Sequence, residues 1–241
     1  PFMSYETPYA GLKVVDLSQG IAGPYCAMLL ARYGAEVVKV EPPQGDWARH
    51  IGKIHGDHTA FSVAGNLGKR SLVLDLKHAP DTHALWRLID AADVLLEGFR
   101  PGVMERLGFG YDAVRERNAR LLYVSVSGFG QRGPLSAKPA MDPVLQAFTG
   151  FMTANTDDNG TPQRCRPIVV DMSTALYAFQ ALSAALFARE RQREGRRIEV
   201  SLMEAAANLQ CVRMMQTQVD GKQPPSATAP AGAFRCHDGA H

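Results

Sequence analysis

Leu12-Lys13-Val14-Val15-Asp16-Leu17, then Ser18-Gln19-Gly20-Ile21-Ala22-Gly23-Pro24, then a run to Gly34 and Glu36-Val37-Val38-Lys39-Val40-Glu41: this stretch decides the fold class. The first segment is rich in β-branched residues and reads as a strand. A glycine-bearing loop follows. Pro24 suits the first helical position, where a missing N–H costs nothing, and Gly34 suits the end of that helix. Residues 36–40 then read as a second strand with Glu41 at its tip. Strand, helix and strand in this order make a parallel pair joined by a helical crossover.

The alternation continues outward. Residues 42–68 are loop-rich, and 71–76 read as a third strand. A helix is expected from about 80 to 92, with Leu85, Leu88, Ile89 and Ala92 on one face. Residues 94–97 and 121–126 supply further strands. Residues 167–170 and 197–202 supply two more, separated by a long helix opening after Asp171 and reaching about 193. A last helix covers about 203–219. The expected class is α/β, a Rossmann-like, mostly parallel sheet with flanking helices. Such sheets bind ligands beyond the carboxyl ends of their strands. Residues 18–23, Glu41, Gly98-Phe99-Arg100, Ser127-Gly128-Phe129-Gly130 and Asp171 should share that rim.

Asp171 is the central candidate. At a strand-to-helix junction a carboxylate sits at the positive end of the helix dipole. That place suits an N-cap and equally a carboxylate nucleophile.

The chain has 241 residues, 46% hydrophobic and 21% charged, with a net charge of +2. These values fit a globular protein and give no reason to expect nucleic acid or a basic membrane anchor. No apolar run is expected to reach the roughly 18 residues of a membrane span, and the first residues lack the pattern of a signal peptide. Cys26, Cys165, Cys211 and Cys236 are too scattered for a metal site and read as free thiols of a reducing cytoplasm. His50, His55 and His58 cluster, but no further ligand completes a set, so no metal is expected. The loop Gly20-Ile21-Ala22-Gly23-Pro24 with Glu41 beyond it imitates a dinucleotide fingerprint, yet lacks the glycine pattern. Lys69-Arg70, Lys77, Arg100 and Arg106 are candidate phosphate contacts, weighed against ordinary solvated cations. Arg189 to Arg197 read as a solvated helix end.

Taken together, several ordered blocks resemble the family III CoA-transferases, with α-methylacyl-CoA racemase as a relative. They are Leu12 to Leu17 with Ala22-Gly23-Pro24; Gly34 to Pro43 with Gly45-Asp46; Lys69 to Lys77; Ala92-Asp93-Val94 with Glu97 to Gly108; Val124 to Gly130; and Asp142 to Gly150. The resemblance implies the large domain of that fold, with coenzyme A carried as acyl-CoA substrate. Asp171 matches the catalytic aspartate. Ile21, Ala22, Leu74, Lys77, Gly98, Phe99, Arg100, Arg106, Pro139 and Asp142 match CoA-contacting positions. Pro42 and Gly98 depart from the family's basic residue and Asn. Met141 stands where the racemases carry a catalytic His, which favours transfer over racemisation, since racemisation needs a base on each face of the carbon.

The implied reaction moves CoA from an acyl-CoA to a carboxylic acid through an aspartyl anhydride and an aspartyl-CoA thioester. Asp171 is expected ionised, near its reference pKa of about 3.9. Backbone N–H groups near Ser127 to Gly130, or at a helix start, are candidate oxyanion donors. The remaining alternatives are an acyl-CoA racemase or epimerase, and a non-catalytic CoA-binding fragment or subunit. The expected domains are a CoA-binding domain over 8–219, a Pro/Ala/Gly-rich linker over 220–233, and the start of a truncated small domain over 234–241. The resemblance also implies an interlocked homodimer in the full-length form.

Overall fold

The computed structural model describes residues 7–157, 159–222 and 237. Nearly all of the expected linker and of the small-domain start lies outside them. The chain divides into two compact units, 1–206 and 207–241.

The strands are β1 (Lys13–Asp16), β2 (Glu36–Glu41), β3 (Arg70–Val73), β4 (Val94–Glu97), β5 (Leu122–Ser127) and β6 (Arg196–Ser201). They form one sheet, β3-β2-β1-β4-β5-β6, in which every pairing is parallel. The helices are α1 (Ala22–Arg32), α2 (Ala60–Ala64), α3 (Ala79–Asp90), α4 (Val103–Arg106), α5 (Tyr111–Arg117), α6 (Asp142–Phe148), α7 (Val169–Gln192), α8 (Leu202–Asn208) and α9 (Cys211–Asp220).

Alternate side chains of the central strands serve opposite faces, as the pleat requires. Val14, Val94, Leu96, Leu122 and Val124 join the core under α1 and α7. Val15, Leu95 and Tyr123 join the core under α3, with Leu85 and Ile89. Helices α1 and α7 meet through small residues, Ala22, Cys26 and Ala27 against Ala175, Ala178 and Ala185. The edge strands carry charge instead: β3 is exposed throughout and begins with Arg70, and β6 begins with Arg196-Arg197. Charged edges discourage further pairing.

Several expectations need correction. Residues 167–170 are not a strand. Helix α7 already begins at Val169, so Asp171 sits inside its first turn, neither at a strand end nor at the cap position. The Ile-Val-Val run has strand propensity, but the carboxylate of Asp142 accepts the N–H of Val170 at 2.7 Å and of Asp171 at 3.2 Å. That external cap satisfies the helix start and overrides propensity. The helix expected at 203–219 is two helices broken at Leu209-Gln210. Pro24 is third in α1, still within the first turn where proline is tolerated. Residues 42–68 contain α2 and a 3-10 turn, Trp47–His50.

Arg189 is not solvated: only 5% exposed, it donates to Asp93 Oδ1 at 3.0 Å and to the carbonyls of Asp93 and Arg120. Finally, α7 is long and apolar enough to cross a membrane by length and composition, which the sequence reading denied. Its apolar length serves the core it shares with α1 and the sheet.

Candidate active site

The sheet order reverses direction between β1 and β4, and the loops after those strands splay apart there. A doubly wound sheet binds ligands at this point. A buried ionic network shapes the β1 loop. Asp16 is fully buried and takes a hydrogen bond from Ser18 N–H at 3.0 Å and an ion pair from Lys69 Nζ at 2.7 Å. Lys69 also donates to the Pro24 carbonyl and to Asn66 Oδ1. Lys39 donates to the Ser18 carbonyl and, at 2.8 Å, to Asp46 Oδ2. Asp46 Oδ1 in turn accepts the N–H groups of Gly20 and Ala48, each at 2.9 Å. The loop after β1 and the turn carrying Trp47 are thus tied to one another.

Gly20 has φ +81°, and a Cβ there would lie 2.1 Å from the Trp47 ring. Gly20→Ala should therefore displace Trp47 and cost about 1–3 kcal/mol from strain and overpacking. A lowered melting temperature with a shifted tryptophan emission is the expected result; an unchanged emission would show that the ring does not lean on this glycine.

Between these loops lies a cavity of about 320 Å³. Residues 19–23 contribute Gln19, Ile21, Ala22 and Gly23, and the 3-10 turn contributes Trp47. The β4 loop adds Gly98 to Pro101, the β5 end adds Val126 to Gly128, and the following loop adds Ser136 and Lys138 to Met141; Asp171 and Leu202 complete it. Gly128 approaches Ala140 so closely that a Cβ would sit 2.3 Å from the alanine methyl. No side chain caps the start of α1, whose first residues form part of the lining. A helix start of this kind favours anionic groups.

Asp171 is the one carboxylate in the lining, and Lys138 and Arg100 are its cations. Burial, and then the neighbouring carboxylate of Asp142, push Asp171 up to about 7. This corrects the expectation of an ordinary aspartate, whose reference lies at about 3.9. Glu97 ends β4 behind the same rim, and burial pushes it up to about 7 although it accepts the Phe99 N–H at 2.8 Å. Both groups bind protons more tightly in the folded chain than in an unfolded one. Their contribution to stability is therefore fully present below about pH 4 and lost as pH rises through about 7. For Glu41, burial is outweighed by the bidentate Arg49 and by Ser71 and Asp46, which hold it at about 2. Its contribution has the opposite sign and is lost as pH falls toward 2.

The sequence profile of CoA-transferase family III matches residues 9–241. The chain belongs to CoA-transferase family III. Similar proteins include the acetyl-CoA:oxalate CoA-transferase of Acetobacter aceti, 39% identical over 219 residues, or 90% of this chain and 56% of that one. The succinyl-CoA:mesaconate CoA-transferase of Haloarcula hispanica is 38% identical over 223 residues, 88% of this chain and 56% of its own. The crystal structure of a CAIB/BAIF family protein from Brucella suis superposes with a TM-score of 0.91 at 31% identity, covering 98% of this chain and 65% of that one. The chain thus spans little more than half the length of these two curated relatives.

Within this family III chain, the positions named from sequence fall into three groups. Ile21, Ala22, Gly98, Phe99, Arg100, Pro139 and Asp171 line the cavity together. Leu74 and Lys77 line a second cleft of about 280 Å³, which also includes Pro42 and shares Gln19 and Phe99 with the first. The two clefts therefore adjoin at Gln19 and Phe99. Arg106 and Asp142 are in neither lining. Arg106 is exposed on α4, and Asp142 is 2% exposed with its oxygens engaged by Val170, Asp171 and Gln146.

Lys69 is not a free phosphate contact, being held by Asp16, and Arg70 pairs with Glu36 on the surface. Glu41 is not available to a ribose, because Arg49 and Ser71 occupy its oxygens. Trp47, Ser136 and Lys138 were missed. The only sequence signal for Trp47 was an aromatic just after Gly45-Asp46. Lys138 stood in a loop rich in Gly, Pro and Ser. Among the described residues no group of His, Cys, Asp and Glu could hold a metal.

Proposed function

We propose that this chain carries the nucleophilic and CoA-binding part of an enzyme that moves CoA from an acyl-CoA to a carboxylic acid. The observation that carries this reading is Asp171, the lone carboxylate of a cavity at the sheet's switch point whose lining also holds two cations and which shares Gln19 and Phe99 with a second cleft. An Asp171 Oδ attacks the thioester carbonyl; the C–S bond breaks, giving an aspartyl–acyl anhydride and CoA thiolate. The thiolate attacks Asp171 Cγ and expels the donor carboxylate, leaving an aspartyl-CoA thioester. The acceptor carboxylate attacks the same carbon and frees the thiolate. The thiolate then takes the new acyl group and regenerates Asp171.

The two cavity cations suit the phosphates or the acid, and the first turn of α1 and the backbone at Ser127-Gly128 suit a developing oxyanion. The first turn of α7 is unsuited, since Asp142 already occupies two of its N–H groups. Racemisation is the weaker reading, because Met141 lines the cavity where a second base would be needed. A cytoplasmic homodimer with no membrane or nucleic-acid partner and no metal belongs to the same proposal, with the family resemblance as support.

Attack requires ionised Asp171. Adduct formation should therefore rise with pH, with a midpoint near 7 in the free chain. Intact mass after mixing with acyl-CoA, with hydroxylamine as a trap, measures both adduct and midpoint. An absent adduct above pH 8, with CoA binding intact by calorimetry, would instead support a binding module.

A further inference from the structure

We infer that Asp142 is a positioning residue for Asp171, fixing its backbone and its protonation rather than touching CoA. The inference rests on the proposed role of Asp171. The geometry is specific. Asp142 opens α6, and one of its oxygens accepts two successive N–H groups of α7, Val170 at 2.7 Å and Asp171 itself at 3.2 Å. The other oxygen accepts Gln146 Nε2 at 2.6 Å, and Gln146 Oε1 accepts the Cys165 N–H at 2.9 Å. One buried carboxylate thus joins α6 to the first turn of α7 and, through Gln146, to the loop at Cys165.

The arrangement has an electrostatic consequence. A helix start ordinarily stabilises a nearby anion through its free N–H groups and dipole. Here those N–H groups are given to Asp142, whose carboxylate oxygen then lies 3.2 Å from the Asp171 backbone nitrogen. Two neighbouring carboxylates do not ionise independently, and the second is held back. Asp142 is the charged group acting on Asp171 besides burial, while Arg100 and Lys138 line the same cavity from the loops after β4 and β5. A nucleophile held near neutrality keeps more basicity than an ordinary aspartate, and so attacks a thioester more readily once ionised.

The test reads Asp171 directly. The chain is labelled with aspartate carrying ¹³C at the side-chain carboxyl, and the Asp171 signal is assigned by its loss in Asp171→Asn. In the wild type the signal should titrate near 7. In Asp142→Asn, which keeps an acceptor for the α7 N–H groups but removes the charge, the midpoint should fall by about one unit or more. The pH midpoint of adduct formation should fall with it. Asp142→Ser is the second neutral variant if Asn does not fold. An unchanged midpoint in whichever neutral variant folds, even with a lowered melting temperature, leaves Asp142 a helix cap and overturns the inference. A wild type that titrates near 7 but forms no adduct sinks the transfer reading while leaving the titration result standing.

Discussion

Asp171→Asn is expected to abolish the covalent adduct and to lower CoA transfer by at least about a thousandfold, since an amide cannot supply the nucleophile. The same substitution should stabilise the chain above neutral pH. Asp171 carries its raised pKa because burial and Asp142 oppose its charge. At pH 8 the folded chain holds that opposed charge, and Asn removes it. At pH 5 Asp171 is protonated in the folded chain but already ionised in the unfolded one, so only the first part of the penalty has accrued. The melting temperature should therefore rise by a few degrees at pH 8 and by clearly less at pH 5. Function held at a cost to stability is common at catalytic positions. CoA affinity should change little, because the cations that suit phosphates, Arg100 and Lys138, lie on other loops. Transfer that survives in Asp171→Asn would remove the residue from the mechanism. A melting temperature equally raised at both pH values would show that its carboxylate is not strained by charge.

The architecture was legible because the central strands are buried on both faces and read as apolar runs. Residues 94–97 were placed without error, and β1, β2 and β5 within one or two residues. Local pattern failed where a distant group decides the backbone. Val169 and Val170, just before Asp171, are helical because Asp142, 29 residues before Asp171, caps the helix start. No local rule reports that. The break at Leu209-Gln210 was hidden by a continuous helical composition. The site was half legible. Loop residues at strand ends converge as the parallel topology requires, so Ile21, Ala22, Gly98, Phe99 and Arg100 come together. Lys138 and Trp47 arrive through loop conformations that sequence does not fix. Cations were the poorest guide. Lys69 and Arg189 look like surface charges in the sequence and are buried partners of Asp16 and Asp93, as Lys39 within β2 is of Asp46.

Lys69→Met should destabilise the chain by about 3–5 kcal/mol, the usual cost of leaving one member of a buried ion pair without the other. The Lys69 side chain is 2% exposed and spends its three donors on Asp16, Pro24 and Asn66. Burial lowers its pKa despite Asp16, while Lys69 and Lys39 together hold Asp16 below the usual carboxylate range against its own burial. Without Lys69, the nearest cation to Asp16 is Lys39 at 3.9 Å. The uncompensated carboxylate would then tend to take up a proton. The stability gap between wild type and variant should accordingly narrow as pH falls, since the Asp16 contribution in the wild type is lost toward acid and the variant's penalty is relieved there. Denaturant unfolding at about pH 3 and at pH 8 measures both slopes, because Asp16 is held below the usual carboxylate range. Because Asp16 also holds Ser18, and Lys69 holds the Pro24 carbonyl inside α1, the same variant should loosen the loop that carries Ile21 and Ala22 into the cavity. CoA affinity should fall together with stability. Equal losses at both pH values, or unchanged affinity in a folded variant, would show that the network braces the fold without shaping the site.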